Sequence, residues 1–290
     1  MAKANRRFQW QVLWAWGLAI ALVLSGSTAL AEDNGAGAPL EVTFLANEGV
    51  LLSSGKGKVI LDGLVTEPYT IYGAVPESVF ESMVAGKEPF AGVDLVLASH
   101  VHRDHFQGEP TLTYLRAQRQ ARLISSLQVV EALRQAEGEA AGEDELPQAR
   151  VEVMDGGEAG RQEVVAAEGA VRVVLMELAH GGARHRTIQN LGHLVTLGDW
   201  TVLHVGDADL DPEVFRRQGI HRAGVDVAVL PFWYLLQPEA VKALEELLGE
   251  VVLVVTHVPP KDVEAVAEKL AETLPEAWVP RRALESRRFD

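Results

Sequence analysis

The sequence predicts an α/β fold built of stacked layers, and three observations carry that prediction. Strand-like and helix-like patterns alternate through both halves of the chain. A short glycine-bounded hairpin pattern occurs once in each half. With 290 residues, 48% of them hydrophobic, the chain can fill one sizeable core.

The elements follow in order. Glu41 to Leu64 reads as strands broken by the turn Ser53-Ser54-Gly55-Lys56-Gly57-Lys58. A helix is expected over Pro76 to Ala85, and then the apolar run Val93-Asp94-Leu95-Val96-Leu97-Ala98-Ser99 reads as a buried strand. Leu112 to Gln135 has helical spacing, and Glu137 to Gln148, rich in Glu, Gly and Ala, reads as a solvated loop. Val171 to Leu178 is the next strand. Leu191 to Thr196 and Thr201 to Val205 form a hairpin turning at Gly198-Asp199. A strand over Val225 to Leu230, a helix over Pro238 to Leu248, a strand over Val251 to Thr256 and a helix over Lys261 to Thr273 complete the expected elements.

The two halves echo each other. Asn47-Glu48-Gly49-Val50-Leu51-Leu52-Ser53-Ser54-Gly55 aligns without gaps on Asn190-Leu191-Gly192-His193-Leu194-Val195-Thr196-Leu197-Gly198, and the register holds to Gly63 and Gly206. Hairpins of this type are common, so the echo is either a true repeat or a shared local solution. As a repeat it brings strand ends from both halves to one edge.

That edge is where the chemistry gathers. His100-Val101-His102-Arg103-Asp104-His105 packs four metal-ligand side chains into six residues, directly after a buried strand. Alternation along an extended chain sends His100 and His102 to one side, while Asp104 and His105 come where the chain can curl. Buried imidazoles and carboxylates are costly unless they find partners, and a divalent cation is the natural partner. The second half adds single ligands in the same setting: His180, Asp207 and His257 each follow a predicted strand. His185, in Arg184-His185-Arg186, is the alternative to His180; His180 is nearer the strand end and lacks flanking cations.

In this arrangement the chain resembles the metallo-β-lactamase-fold superfamily of metallohydrolases, whose hallmark is His-x-His-x-Asp-His followed by single His, Asp and His ligands. The likeness covers nearly all of Leu40 to Pro280, including Ile60-Leu61-Asp62-Gly63 and Leu203-His204-Val205-Gly206-Asp207. It is closer to the broad branch that holds ascorbate-lactone hydrolases and transfer-RNA-processing ribonucleases than to typical β-lactamases. The resemblance implies a four-layer αββα sandwich of two mixed sheets with the metals at one edge. It implies that His100, His102 and His180 hold one cation, that Asp104, His105 and His257 hold another, and that Asp207 bridges. Two divalent ions, Zn2+ first and Mn2+ or Fe as alternatives, would then generate hydroxide near neutral pH, with Asp104 orienting it as the catalytic residue.

Further residues fall near that edge. Asp62 is either a group behind the ligands that ties down loops or a turn-forming Asp before Gly63. Asn47, Glu48 and His193 are candidates for the pocket, His193 also for a structural role. Trp233 and Tyr234, in Pro231-Phe232-Trp233-Tyr234, offer an apolar wall or core packing. His204 reads as a core histidine or a group supporting the ligands, and His221 as a loop residue.

Composition narrows the function. Lys3, Arg6 and Arg7, an apolar stretch from Trp10 to Leu24 and the Ala29-Leu30-Ala31 ending read as a secretory signal peptide over residues 1–31, leaving 32–290 as one hydrolase domain. An uncleaved anchor is the alternative. The expected location is periplasmic or extracellular, with no stable membrane span once the signal is removed. Of 26 basic residues, 23 remain without Lys3, Arg6 and Arg7 and face 41 acidic ones, a net charge of −18. Such a surface repels nucleic acid, so a small-molecule substrate is expected. The chain has no cysteine, so any metal site must use His and carboxylate. A non-catalytic periplasmic metal-binding or sensing protein would need the same ligands, and their completeness favours the hydrolase.

Overall fold

The structure, a computed structural model, describes residues 37–290 except 56 and 141–145. The expected signal peptide, residues 1–31, lies outside the described residues, as does part of the loop expected over Glu137 to Gln148. Among the described residues no helix is long and apolar enough to cross a membrane.

The first half contains β1 (Leu40–Ala46), β2 (Gly49–Ser54), β3 (Gly57–Leu61), α1 (Glu77–Val84), β4 (Leu95–Leu97), α2 (Gly108–Ala117), β5 (Arg122–Ser125), α3 (Leu127–Glu139) and β6 (Val151–Val153). The second contains β7 (Arg161–Ala166), β8 (Val171–Glu177), β9 (Leu191–Leu197), β10 (Trp200–His204), α4 (Pro212–Arg217), β11 (Val227–Pro231), α5 (Phe232–Leu235), α6 (Pro238–Leu248), β12 (Val252–Thr256), α7 (Val263–Thr273) and β13 (Ser286–Phe289). The strands form a seven-stranded sheet, β13-β1-β2-β3-β4-β5-β6, and a six-stranded sheet, β12-β11-β10-β9-β8-β7. Both are mixed. In the first, β1 to β3 pair antiparallel and β3 to β6 parallel; in the second, β7 to β10 pair antiparallel and β10 to β12 parallel.

Three apolar layers make this a four-layer αββα sandwich. Val50, Leu52, Leu61 and Leu97 of the first sheet meet Val173, Val195, Val202 and Val229 of the second in the central layer. Met83, Leu115 and Leu133 of α1 to α3 cover the outer face of the first sheet. Phe215, Leu247 and Leu270 of α4, α6 and α7 cover that of the second. Each fully buried aliphatic side chain contributes about 1.5–3 kcal/mol, so the layers and not the single strands hold the sandwich together. The echoed segments are the hairpins β2–β3 and β9–β10, one in each sheet.

Several elements depart from the pattern read in the sequence. Leu112 to Gln135 is not one helix: α2 and α3 flank the strand β5. This four-residue strand has no alternation because it lies inside a parallel sheet, between β4 and β6, and so merges into the helical pattern on either side. The strands β6, β7 and β13 and the helices α4 and α5 are short elements that the apolar pattern does not announce. β13 closes the first sheet, pairing Phe289 with Leu40 and Ser286 with Thr43.

Candidate metal centre

The strand β4 ends at Leu97, earlier than the sequence pattern suggests, so His100 and His102 do not sit on an extended alternation. The chain leaves the strand because Ser99 is clamped from both sheets. Its N–H donates to Asp62 Oδ1 at 2.6 Å, and its carbonyl accepts from Leu191 N at 2.9 Å. The next turn closes on the His102 carbonyl, which accepts from His105 N and Phe106 N. Asp104 and His105 are thereby turned back towards the sandwich.

The other three donors arrive on strand ends, as expected. Gly181 N donates to the Asp207 carbonyl at 2.7 Å and Asp209 N to the Ala179 carbonyl at 2.8 Å, joining the loops after β8 and β10. Asn190 locks the joint: its Nδ2 donates to the carbonyls of Leu178 and Val205, and its Oδ1 accepts from Asp207 N. Gly206 is required beside it. Its φ is +56°, and a Cβ there would stand 2.6 Å from both Asn190 Oδ1 and Ser99 Cβ. His257 follows β12 with φ +62°, and its N–H donates to the Asn47 carbonyl at 2.9 Å. Asn47 and Asp62 also have positive φ, 48° and 45°. Three non-glycine residues in this sparsely populated region within one site mark a backbone held by its surroundings.

The seven donors form two groups. In the first, His102 Nδ1 lies 2.9 Å from His100 Nε2 and 3.2 Å from His180 Nε2. In the second, His105 Nε2 lies 3.0 Å from His257 Nε2, and Asp104 Oδ2 lies 3.3 Å from His257 Nε2. Asp207 serves both: Oδ2 is 3.6 Å from His180 Nε2, whereas Oδ1 is 3.4 Å from His105 Nε2 and 3.3 Å from His257 Nε2. Two clusters able to hold a cation result, His100, His102, His180 and Asp207 in one and Asp104, His105 and His257 in the other.

Electrostatics separate the two. Burial and the neighbouring imidazoles hold His100 well below the usual histidine range and bring His102 down to about 4; His180 is lowered by burial. These three are neutral, with lone pairs free to bind a cation. Burial also opposes charge on His105 and His257, but the carboxylates outweigh it. Asp207 and Asp62 raise His105 well above its usual range, and Asp207 and Asp104 bring His257 up to about 9. Burial likewise disfavours charge on Asp207, which the two histidines overcome, holding it well below the usual carboxylate range. The donor set fits divalent cations on two counts. Imidazole and carboxylate atoms converge at ligand spacing, and Asp207 Oδ1 is buried without a hydrogen-bond partner among the described residues.

Around the donors, the residues singled out in the sequence fall into distinct places. Asp62 lies behind the candidate donors: its Oδ2 is 2.8 Å from His105 Nδ1 and accepts from Ser99 Oγ–H. Asn47 is buried, and its Nδ2 donates to the Asp104 carbonyl at 3.2 Å, so it holds the backbone of a candidate donor; it also borders a cavity with Gly73, Thr256 and Pro260. Glu48 and His193 are fully buried between the sheets, away from any opening, because β2 and β9 press their hairpins into the core. Burial pushes Glu48 up to about 8 and, with His204, His193 down to about 3. Tyr234 is also buried, its hydroxyl donating to the Ala208 carbonyl. Only Trp233 faces the open site, 4.9 Å from His257 in an edge contact.

Trp233 lines a cleft of about 600 Å³ with His180, Arg184, His185, Asp207 and Asp209. His185 is not among the clustered donors; it stacks on His180 at 4.6 Å and accepts from Arg184 Nε at 2.7 Å. A cavity of about 670 Å³ beside Arg103 and Gln107 holds none of the seven donors. Three contributors escape the sequence pattern: Tyr72, edge-on to His257 at 4.5 Å, Ser99 and Asn190. Asn190 had a signal, since it occupies the place of Asn47 in the echo, whereas nothing distinguishes Tyr72.

The family model described as β-lactamase superfamily domain matches residues 74–279. No curated protein matches the chain. Solved structures with the same fold include Igni18, a metallo hydrolase from the archaeon Ignicoccus hospitalis, at 19% identity and TM-score 0.57, covering 87% of this chain and 99% of that one. An isothiocyanate hydrolase from Delia radicum gut bacteria is similar at 12% identity and TM-score 0.54, covering 85% and 98%. CmlA, a diiron β-hydroxylase from Streptomyces venezuelae, is similar at 16% identity and TM-score 0.50, covering 87% and 54%.

Proposed function

The chain belongs to the β-lactamase superfamily of metallo-β-lactamase-fold proteins, and on that footing we propose that it is a metal-dependent hydrolase of a small ester, lactone, amide or phosphoester. The observation that carries the reading is the division of Asp207, one carboxylate oxygen towards His180 and the other towards His105 and His257. A single carboxylate placed this way suits two cations side by side. His100, His102 and His180 would hold one, Asp104, His105 and His257 the other, with Zn2+ the first candidate for this thiolate-free set. When bound, such a pair lowers the pKa of water and polarises the bond under attack.

The chain's own groups do the rest. Asp104 accepts a hydrogen bond from the attacking water and fixes its approach. Trp233 and Tyr72 flank His257 and keep bulk water from that side. The cleft at His180 and Arg184 admits a small substrate, in keeping with an acidic chain that repels nucleic acid. The basic, apolar and Ala-x-Ala start supports export to the periplasm or beyond. The fold is shared by hydrolases and by a diiron hydroxylase, so the substrate must be found by experiment. Elemental analysis after metal supplementation should find about two divalent ions per chain. Chromogenic phosphodiester, lactone and cephalosporin substrates should reveal turnover that His257→Ala removes. A protein that takes up no metal, or turnover indifferent to His257→Ala, overturns the proposal.

A further inference from the structure

Behind the donors lies a buried polar group that plays no part in the scheme above. Glu48, His193 and His204 are fully buried, and neither carboxyl oxygen of Glu48 nor either ring nitrogen of the two histidines has a hydrogen-bond partner among the described residues. Unpaired polar atoms in such a place cost about 1–3 kcal/mol each, so their retention needs a reason. His204 ends β10 in the second sheet, and His193 is its cross-strand neighbour in β9. Glu48 belongs to the β1–β2 turn of the first sheet. The His204 ring reaches across: its Nε2 lies between two carboxylates, 3.6 Å from Glu48 Oε1 and 3.9 Å from Asp62 Oδ2.

Both ends of that contact lead to the second group of donors. Asp62 Oδ2 continues to His105 Nδ1 at 2.8 Å. Next to Glu48 in the turn, Asn47 accepts from His257 N through its carbonyl and donates to the Asp104 carbonyl through its side chain. Asp104, His105 and His257 are therefore all reached from the two residues that His204 joins. The Glu48 end does not lead to the first group: His100 Nδ1 lies 3.0 Å from Ser99 Oγ, which Asp62 holds, and His180 Nδ1 lies 2.8 Å from the Gly181 carbonyl.

We propose that Glu48 and His204 form a buried brace between the two sheets that positions Asp104, His105 and His257, making Glu48 a positioning residue for one cation site and not the other. The proposal rests on the reading that both groups bind metal, but its test does not use turnover. Zinc is titrated into metal-stripped protein against a chromogenic chelator, and the His180→Ala and His257→Ala variants identify which binding step belongs to which group. Glu48→Ala should weaken the His257 step by about tenfold or more, the scale of effects transmitted to ligands from behind, and leave the His180 step within about twofold. Glu48→Gln, which keeps the size and a polar head, should restore most of the loss. His204→Asn, too short to reach Glu48, should reproduce the effect of Glu48→Ala and also decides the matter if Glu48→Ala does not fold. The Glu48→Ala, His204→Asn double variant should bind no worse than His204→Asn. An unchanged His257 step in His204→Asn overturns the brace, as does equal weakening of both steps. Wild-type protein that binds no zinc overturns the brace and the hydrolase reading together, whereas normal zinc binding without turnover leaves the brace intact and removes only the hydrolase.

Discussion

Asn190 fixes the backbone of Asp207, accepting its N–H at 3.1 Å while donating to the carbonyls of Leu178 and Val205. One buried amide thereby joins two strand ends and aims the residue shared by both groups of donors. Asn190→Ala removes three hydrogen bonds to backbone groups, of which the Val205 carbonyl keeps another from Ala208 N, and should cost about 2–4 kcal/mol in urea unfolding. It should also lower the metal content. Full metal content in a stable variant would show that Asp207 needs no such support.

Gly206→Ala tests the same joint sterically. Its Cβ would meet Asn190 Oδ1 and Ser99 Cβ at 2.6 Å on a backbone already at φ +56°, so destabilisation of about 2 kcal/mol or more is expected. A melting temperature equal to the wild type would contradict the packing described.

Removing the shared carboxylate should differ from removing a donor of one group. Asp207→Ala is expected to reduce occupancy of both cations, and His180→Ala chiefly of one. Equal metal-to-protein ratios in the two variants, read by elemental analysis, would argue against the bridging role.

Trp233 lines the cleft and contributes no ligand atom. Trp233→Ala should therefore keep its metal while KM for a chromogenic substrate rises by about tenfold, the loss of roughly 1.4 kcal/mol of contact. A variant that loses metal instead would place Trp233 in the support of His257.

His193 predicts a pH dependence of stability. Burial and His204 hold its pKa near 3 in the folded state, against an ordinary value of about 6.5. The unfolded chain takes up a proton below about 6.5 that the folded chain refuses, so stability falls as pH drops through the window from about 6.5 to about 3. Its slope there is at most about 1.4 kcal/mol per unit. His193→Val, which installs the residue found at the equivalent Val50, should flatten the slope between pH 6.5 and 4.5. Identical slopes in denaturant titrations of the two proteins would refute this.

Much of the site is readable in the sequence because each donor follows an apolar run, and strands of this fold end at one edge. His100, His180, Asp207 and His257 are legible for that reason. What stays hidden depends on contacts across the sandwich. Glu48 reads as a pocket residue and His193 as a pocket or structural one because they neighbour the edge in sequence; both are fully buried in the space between the sheets. β5 escapes because a four-residue strand inside a parallel sheet has neither alternation nor length, and Tyr72 because its loop carries no pattern that marks it.

The pairing of β13 with β1 joins the last described strand to the first. Until Ser286–Phe289 has been made, Leu40–Thr43 of β1 has a partner strand only on its β2 side, and its other edge is open. Truncation before Ser286 would make that transient state permanent, and the expected result is a protein that assembles edge to edge.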